Sequence, residues 1–359
     1  MADVLLTVSG SIAPDTAEQI AKGMRPRADY LELARAFNAD VIDYAAARRA
    51  SGRIGRLLER LGGSDVVLAW ACFRKRHIYK AIFTDGEQVG IPLALMERFF
   101  GLGMRRARHL MIVHILSVKK KMLFFDYLGL QRRIDRFLVY STWQKQFIEQ
   151  RWSVTPERVV FTPFMVDTHF FSPEHATPQP GNTPIICSVG LEARDYPTLL
   201  RAVENLPAQI MIAAASPWSK RTDNTQGQHI PANVTVRRFS QYDLRQLYAD
   251  SAFMVMPLQN VEFQAGVTAI LEAMAMGRAV ICSRTPGQTD VVVDGETGIY
   301  VPPGDPAALR EAIDYLLAHP DIALRMGQAG RRRIEQSMNL DLYVERLAKL
   351  VHLEARQHA

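Results

Sequence analysis

Cysteine is scarce in this chain, three among 359 residues. Cys72, Cys187 and Cys282 are odd in number, far apart and without CxxC spacing, which argues against structural disulfides and a zinc site and for a reducing cytoplasm. Long apolar runs are missing too: none approaches the roughly 18 residues that a membrane helix needs. The N-terminus, M-A-D-V-L-L-T-V-S-G, has an acid and no basic n-region, so it reads as a first strand and not as a signal peptide. No G-x-G-x-x-G follows that strand, which argues against a dinucleotide dehydrogenase. There is no internal repeat, no low-complexity tract and no recognised nucleic-acid motif.

What remains is ordinary globular material. Apolar residues make up 48% and charged residues 22%, and the length suits two domains. In the first half, short apolar runs at Val4–Val8, Asp40–Tyr44, Val66–Trp70, Ala81–Thr84, His109–Leu116 and Arg136–Tyr140 read as strands. Helical stretches at Ala28–Phe37 and Gly55–Leu61 alternate with them. Such alternation predicts an α/β fold with parallel sheets and helices on both faces. From Ser172 to Pro184 the composition is that of a linker. The expected division is therefore 1–171, a linker at 172–184, a second domain at 185–335 and a final helical segment at 336–359.

The most informative stretch is Glu262–Gly277, E-F-Q-A-G-V-T-A-I-L-E-A-M-A-M-G. Val267, Ile270, Leu271 and Met274 mark the buried face of a helix, with Gly266 at its start and Gly277 at its stop. Apolar runs at Phe253–Leu258 and Ala279–Cys282 flank it, giving strand, helix, strand. Free N–H groups at Gly266, Val267 and Thr268 would point at an anion, with the helix dipole adding to the attraction. Glu272 is either an exposed helix glutamate or a functional acid in an otherwise apolar helix.

Charge is uneven. Nine Lys/Arg and two acids lie between 105 and 136, a local +7 against +6 for the whole chain. Val118, Met122 and Phe125 share helical spacing behind three lysines. Three readings stay open: a solvated face beside a packed one, a basic amphipathic helix on an anionic membrane, and a holder for a phosphorylated acceptor. His114, at the end of an apolar run, is either a structural residue or a site residue.

The stretch E-A-M-A-M-G-R-A-V-I, with D-G-E-T-G-I-Y-V-P-P-G-D at 294–305, resembles retaining family 4 glycosyltransferases of the E-x7-E type. The resemblance implies a GT-B fold, two Rossmann-like domains with parallel sheets facing across a cleft. The first domain would bind the acceptor and the second the nucleotide sugar, with the last helix packing back on the first. It implies that Glu272 holds the ribose hydroxyls and that the Gln264 position meets the donor sugar. Gln264 stands where the family has its first glutamate, so hydrogen bonding is kept and charge is lost. It further places Arg194 at the family's lysine, with Lys220 as a candidate second cation because Leu191 replaces the usual arginine. Phe239 would lie beside the base, His114 near the transferred centre and Gly10 in a donor-sugar or acceptor-side loop.

The activity implied is transfer of a sugar from a UDP- or GDP-linked donor to a saccharide, lipid or small-molecule hydroxyl, with retention. No cofactor is expected, and the absence of D-x-D fits a metal-independent enzyme. The expected location is the cytoplasm, with contact on the inner membrane face left open and no nucleic-acid partner. Two alternatives remain: an epimerase or hydrolase of the same fold, and a non-catalytic sugar-nucleotide binder.

Overall fold

The structure is a computed structural model that describes residues 2–101, 106–179, 181–214 and 229–357. Runs of three to six residues pair side by side into two sheets, each six-stranded and, by its strand pairings, parallel throughout. The first has the order β2-β1-β3-β4-β5-β6. Its strands are β1 (Val4–Val8), β2 (Ala39–Asp43), β3 (Ala81–Thr84), β4 (Arg108–Val113), β5 (Arg136–Val139) and β6 (Val159–Phe161). Helices α1 (Thr16–Ala21), α2 (Asp29–Phe37), α3 (Tyr44–Lys75), α4 (Glu87–Phe100), α5 (Lys119–Leu128) and α6 (Thr142–Trp152) connect them. Parallel pairing requires such crossovers, and strands covered on both faces read as near-continuous apolar runs.

The second sheet has the order β12-β11-β10-β7-β8-β9. Its strands are β7 (Ile185–Val189), β8 (Gln209–Ala213), β9 (Val234–Arg237), β10 (Ser251–Met256), β11 (Ala279–Ser283) and β12 (Gly298–Val301). Helices α7 (Tyr196–Val203), α8 (Gln241–Asp250), α9 (Val267–Ala275), α10 (Pro306–Ala318) and α11 (Pro320–Arg333) cover it, and α12 (Leu340–Gln357) ends the described chain. Asp305 caps α10 by accepting from Ala307 and Ala308 N–H, with Pro306 in the first turn.

The chain forms two compact units. One contains 1–18, 27–162 and 341–359; the other contains 19–26 and 163–340. The division thus falls at Thr162/Pro163 and not at the composition change after 171, and the stretch 172–184 belongs to the second unit. α12 packs in the first unit: Glu354 pairs with Arg136 at 2.6 Å, and the hydroxyls of Tyr343 and Tyr140 meet at 3.0 Å.

One expected strand is a helix. Val66–Trp70 lies inside α3, with Val67, Leu68 and Ala69 buried. A short apolar run does not distinguish a buried strand from a buried helix turn. Ala81–Thr84 is consequently the third strand of its sheet, and the sixth is Val159–Phe161, which none of the runs named above covers.

Candidate functional site

In the second unit the loops after β7, β10 and β11 emerge side by side at the carboxyl edge of the sheet. Backbone bonds tie them together. Asp195 N–H donates to Pro257 O at 3.0 Å, and Gln259 N–H to Ala193 O at 2.9 Å. Leu258 N–H donates to Ser283 Oγ at 2.9 Å. The β7–α7 loop turns through Gly190 (φ 102°) and Ala193 (φ 53°). A non-glycine residue in the left-handed region is strained, and here the strain accompanies burial of the next side chain.

That side chain is Arg194, 4% exposed. Its Nε donates to Val189 O at 2.8 Å and its Nη1 to Glu192 O at 2.6 Å. The guanidinium reaches two glycines. A Cβ on Gly190 would lie 2.3 Å from Nη2, and one on Gly266 would lie 3.2 Å from Nη1. Gly266 caps α9 in the left-handed conformation, φ 75°. The buried Arg194 guanidinium therefore lies against the amino end of α9, where the first N–H groups have no partner within the helix. Val267 is buried and Thr268 exposed. Gly277 (φ 69°) ends the helix, with Arg278 N–H reaching back to Ala273 O at 2.9 Å.

Glu272 is buried, not an exposed helix glutamate. Its Oε2 accepts from Tyr248 Oη at 2.8 Å. Burial pushes its carboxyl up to about 7, and the Tyr248 hydrogen bond works the other way. Gln264 is 9% exposed, and neither its Oε1 nor its Nε2 has a hydrogen-bond partner. Phe239 follows β9, with the Arg237 guanidinium 4.2 Å over its ring. Lys220 lies outside the described residues.

Sequence reasoning missed the loop after β11. Gly287 lies so close to the β10–α9 loop that a Cβ would sit 2.4 Å from the Phe263 carbonyl carbon. This contact brings Thr285 and Gln288 beside the Gln264 loop. Both are fully covered, and the Thr285 hydroxyl and both amide atoms of Gln288 lack partners. Ser188 Oγ, at the end of β7, is orphaned as well. Buried polar atoms without partners are rare in folded proteins, because each loses its hydration for nothing. Several at one sheet edge mark a place where an external partner would complete the bonding.

The first unit places His114 just past β4, exposed, with Nε2 3.0 Å from Asp85 O. Glu87 accepts from the backbone N–H of His114 and Ile115 and from Lys121 Nζ, at 2.9, 2.8 and 2.7 Å. Burial opposes the charge on Glu87, yet His114 and Lys121 together hold it down at about 2. Asp85 accepts from Thr7 Oγ1 at 2.6 Å and Ser9 Oγ at 2.8 Å. Burial pushes its carboxyl up against those bonds. Gly10 is in this loop, but nothing lies within 4 Å of where its Cβ would be. The Gly10 carbonyl accepts from Tyr44 N–H at 3.0 Å. Among the described residues, no group of three His, Cys, Asp or Glu could hold a metal ion, and no helix is long and apolar enough to cross a membrane.

The structure aligns over 98% of the chain with sucrose-phosphate synthase from Thermosynechococcus elongatus, at TM-score 0.73 and 18% identity, covering 99% of that chain. It also aligns over 98% with HepE from Anabaena in complex with UDP, at TM-score 0.71 and 14% identity, covering all of that chain. The fold is GT-B. Within this GT-B chain, residues 185–319 match the family model described as Glycosyl transferases group 1. That span contains Arg194, Gln264 and Glu272. Among curated proteins, the D-rhamnosyltransferase WbpZ of Pseudomonas aeruginosa is 30% identical over 147 residues, 41% of this chain and 35% of its own. The lipopolysaccharide core biosynthesis glycosyltransferase LpsE of Rhizobium meliloti is 28% identical over 183 residues, 47% of this chain and 51% of its own. The GT-B chain thus spans about a third and about half the length of these relatives.

Proposed function

We propose that the protein transfers a sugar from a nucleotide-diphosphate donor to an acceptor hydroxyl, with retention of configuration. The observation that carries this is the buried Arg194 guanidinium set against the glycine-capped amino end of α9. As the donor bond breaks, negative charge grows on the departing diphosphate. The Val267 and Thr268 N–H groups and the Arg194 fork would meet that charge without reorganising, a contribution commonly among the largest in catalysis. The Glu272 carboxylate would take the ribose hydroxyls. Gln264 and Gln288 would take hydroxyls of the donor sugar, which are neutral and need no charged partner.

Retention follows a front-face route in this reading. The leaving phosphate accepts the proton of the incoming hydroxyl, so no separate carboxylate base is required. The matched segment, with its GT-B frame and relatives named as glycosyltransferases, supports transfer over simple binding. The test is turnover of UDP- and GDP-linked sugars with a panel of hydroxyl acceptors, read by NMR of the anomeric product. Arg194→Ala is expected to lower kcat by about 100- to 1,000-fold, the usual cost of removing one oxyanion-type donor. Equal background turnover in wild type and Arg194→Ala would favour a sugar-nucleotide binder, and an inverted product would remove the front-face route.

A further inference from the structure

Inside α3, residues 53–62 form a short helical stretch bounded by two glycines with non-helical backbone, Gly52 (φ 56°) and Gly63 (φ 79°). Its inner side is thin. A Cβ on Gly55 would lie 2.5 Å from that of Ser51, and Leu58 packs on the core of the unit. Its outer side carries large aliphatics: Ile54 is 54% exposed, Leu57 58% and Leu61 78%. Spacings of three and four put them on one stripe. Arg53, Arg56 and Arg60 each precede one of them by a single residue, which sets a parallel basic stripe about 100° round the helix. All three arginines are exposed, and none has a hydrogen bond or ion pair among the described residues. The one acid of the stretch, Glu59, is already paired with Arg48 at 2.7 Å.

An uncovered aliphatic stripe beside unpaired guanidinium groups calls for a partner that is apolar below and anionic above. A second copy of this chain fits poorly, because burying the two aliphatic stripes against each other would leave the arginines of both copies at the rim with no anion supplied. The surface of an anionic bilayer fits both stripes. The basic stretch at 105–136 is a weaker match. Arg106 and Arg108 pair with Asp135, Lys121 with Glu87 and Arg136 with Glu354.

We propose that residues 53–62 dock the protein on an anionic lipid bilayer, with the aliphatic stripe at the acyl boundary and the arginines among the lipid phosphates. The stretch lies in the connection that leaves the carboxyl end of β2, and the carboxyl ends of β1, β3 and β4 in the same parallel sheet carry Ser9, Asp85 and His114. A lipid-linked acceptor would then be presented at that edge. This consequence for the acceptor rests on the transfer reading; the docking does not, and vesicle binding is measured without any donor.

The experiment is co-sedimentation of the full chain with vesicles of phosphatidylcholine alone and of phosphatidylcholine with about one-third phosphatidylglycerol. Wild type is expected to bind the anionic vesicles and to remain free with the neutral ones. Arg53→Gln, Arg56→Gln and Arg60→Gln together are expected to weaken binding on the order of a hundredfold, about fivefold per charge near the surface. Ile54→Gln, Leu57→Gln and Leu61→Gln together are expected to weaken it at least tenfold. Because all six side chains are exposed, these variants should keep the wild-type circular dichroism and melting temperature. The pair Lys119→Gln and Lys120→Gln, on α5, should bind as wild type does. No binding to anionic vesicles, or unchanged binding in either triple variant, overturns the proposal. So does a concentration-dependent dimer that the aliphatic triple variant abolishes, which would assign the face to a second copy.

Discussion

The Glu272 carboxyl supplies a test that reads protons as well as binding. Burial lifts it to about 7 in the free protein. Ribose hydroxyls donate hydrogen bonds, so they favour the ionised form, and a donor that binds there must expel the proton wherever the free protein holds one. With a value of about 7, roughly nine-tenths of the free protein is protonated one unit below and roughly one-tenth one unit above. Donor binding is therefore expected to release close to one proton at about pH 6 and almost none at about pH 8, with affinity falling toward tenfold per unit below pH 7. Intact nucleotide sugars are the right probe, because a diphosphate diester lacks the second phosphate proton that titrates near about 6. Calorimetry in two buffers of different ionisation heat counts the protons directly. The same group has a signed effect on stability. Its folded-state value is raised above the ordinary 4.5, so its contribution is fully present below about 4.5 and is lost as pH rises through about 7. Glu272→Gln should then resist urea better than wild type above pH 7, by at most about 3 kcal/mol, and the two should converge toward pH 4.5. A proton count of zero at about pH 6, with donor affinity intact in Glu272→Gln, refutes the ribose assignment.

Gly190→Ala places a methyl 2.3 Å from Arg194 Nη2 at φ 102°; donor turnover should fall as it does in Arg194→Ala, and wild-type turnover would show that the guanidinium is free to move. Gln264→Leu and Gln288→Leu each remove amide atoms that have no partner in the free protein. Stability in urea should hold or rise by about 1–3 kcal/mol while the donor KM climbs; a matching loss of stability would make the amides structural. Glu97, 1% exposed and without a hydrogen-bond partner, is pushed up to about 7 by burial, with Arg106 at 3.8 Å opposing. Its contribution to stability likewise declines as pH rises from about 4.5 to about 7, so Glu97→Gln should gain on wild type across that window in urea melts at constant ionic strength.

Strand and helix alternation was legible because parallel strands covered on both faces must be short apolar runs, and seven of the twelve contain or overlap a run named in the sequence analysis. The rule failed at Val66–Trp70 for a physical reason. A helix turn buried between a sheet and another helix shows the same unbroken apolar run, and α3 extends past it to Lys75. The unit boundary was misplaced because composition reports flexibility, whereas compactness depends on which elements a segment packs against. Residues 163–184 carry linker composition in part, yet Phe170 and Phe171 are buried in the second core.

At the site, the amino end of α9 could be read locally: two glycines and an apolar period set its start and stop. Arg194 could not, because its burial depends on Gly190 and Ala193 turning left-handed within a loop whose neighbours come from β10. Only the resemblance singled it out. Gln288 and Thr285 left no local trace at all. T-P-G-Q reads as any turn, and the amide is buried only because Gly287, lacking a Cβ, lets its loop settle onto Phe263. Asp85 and Glu87 were similarly hidden as the end of a strand, since their bonds run to Ser9 and His114, 76 and 27 residues away. What a sequence hides here is not which residues are polar but which polar atoms folding leaves without a partner. Arg194 and Glu272 show the other half of that rule: their partners, the Val189 and Glu192 carbonyls and the Tyr248 hydroxyl, are set by the fold and not by the residue type.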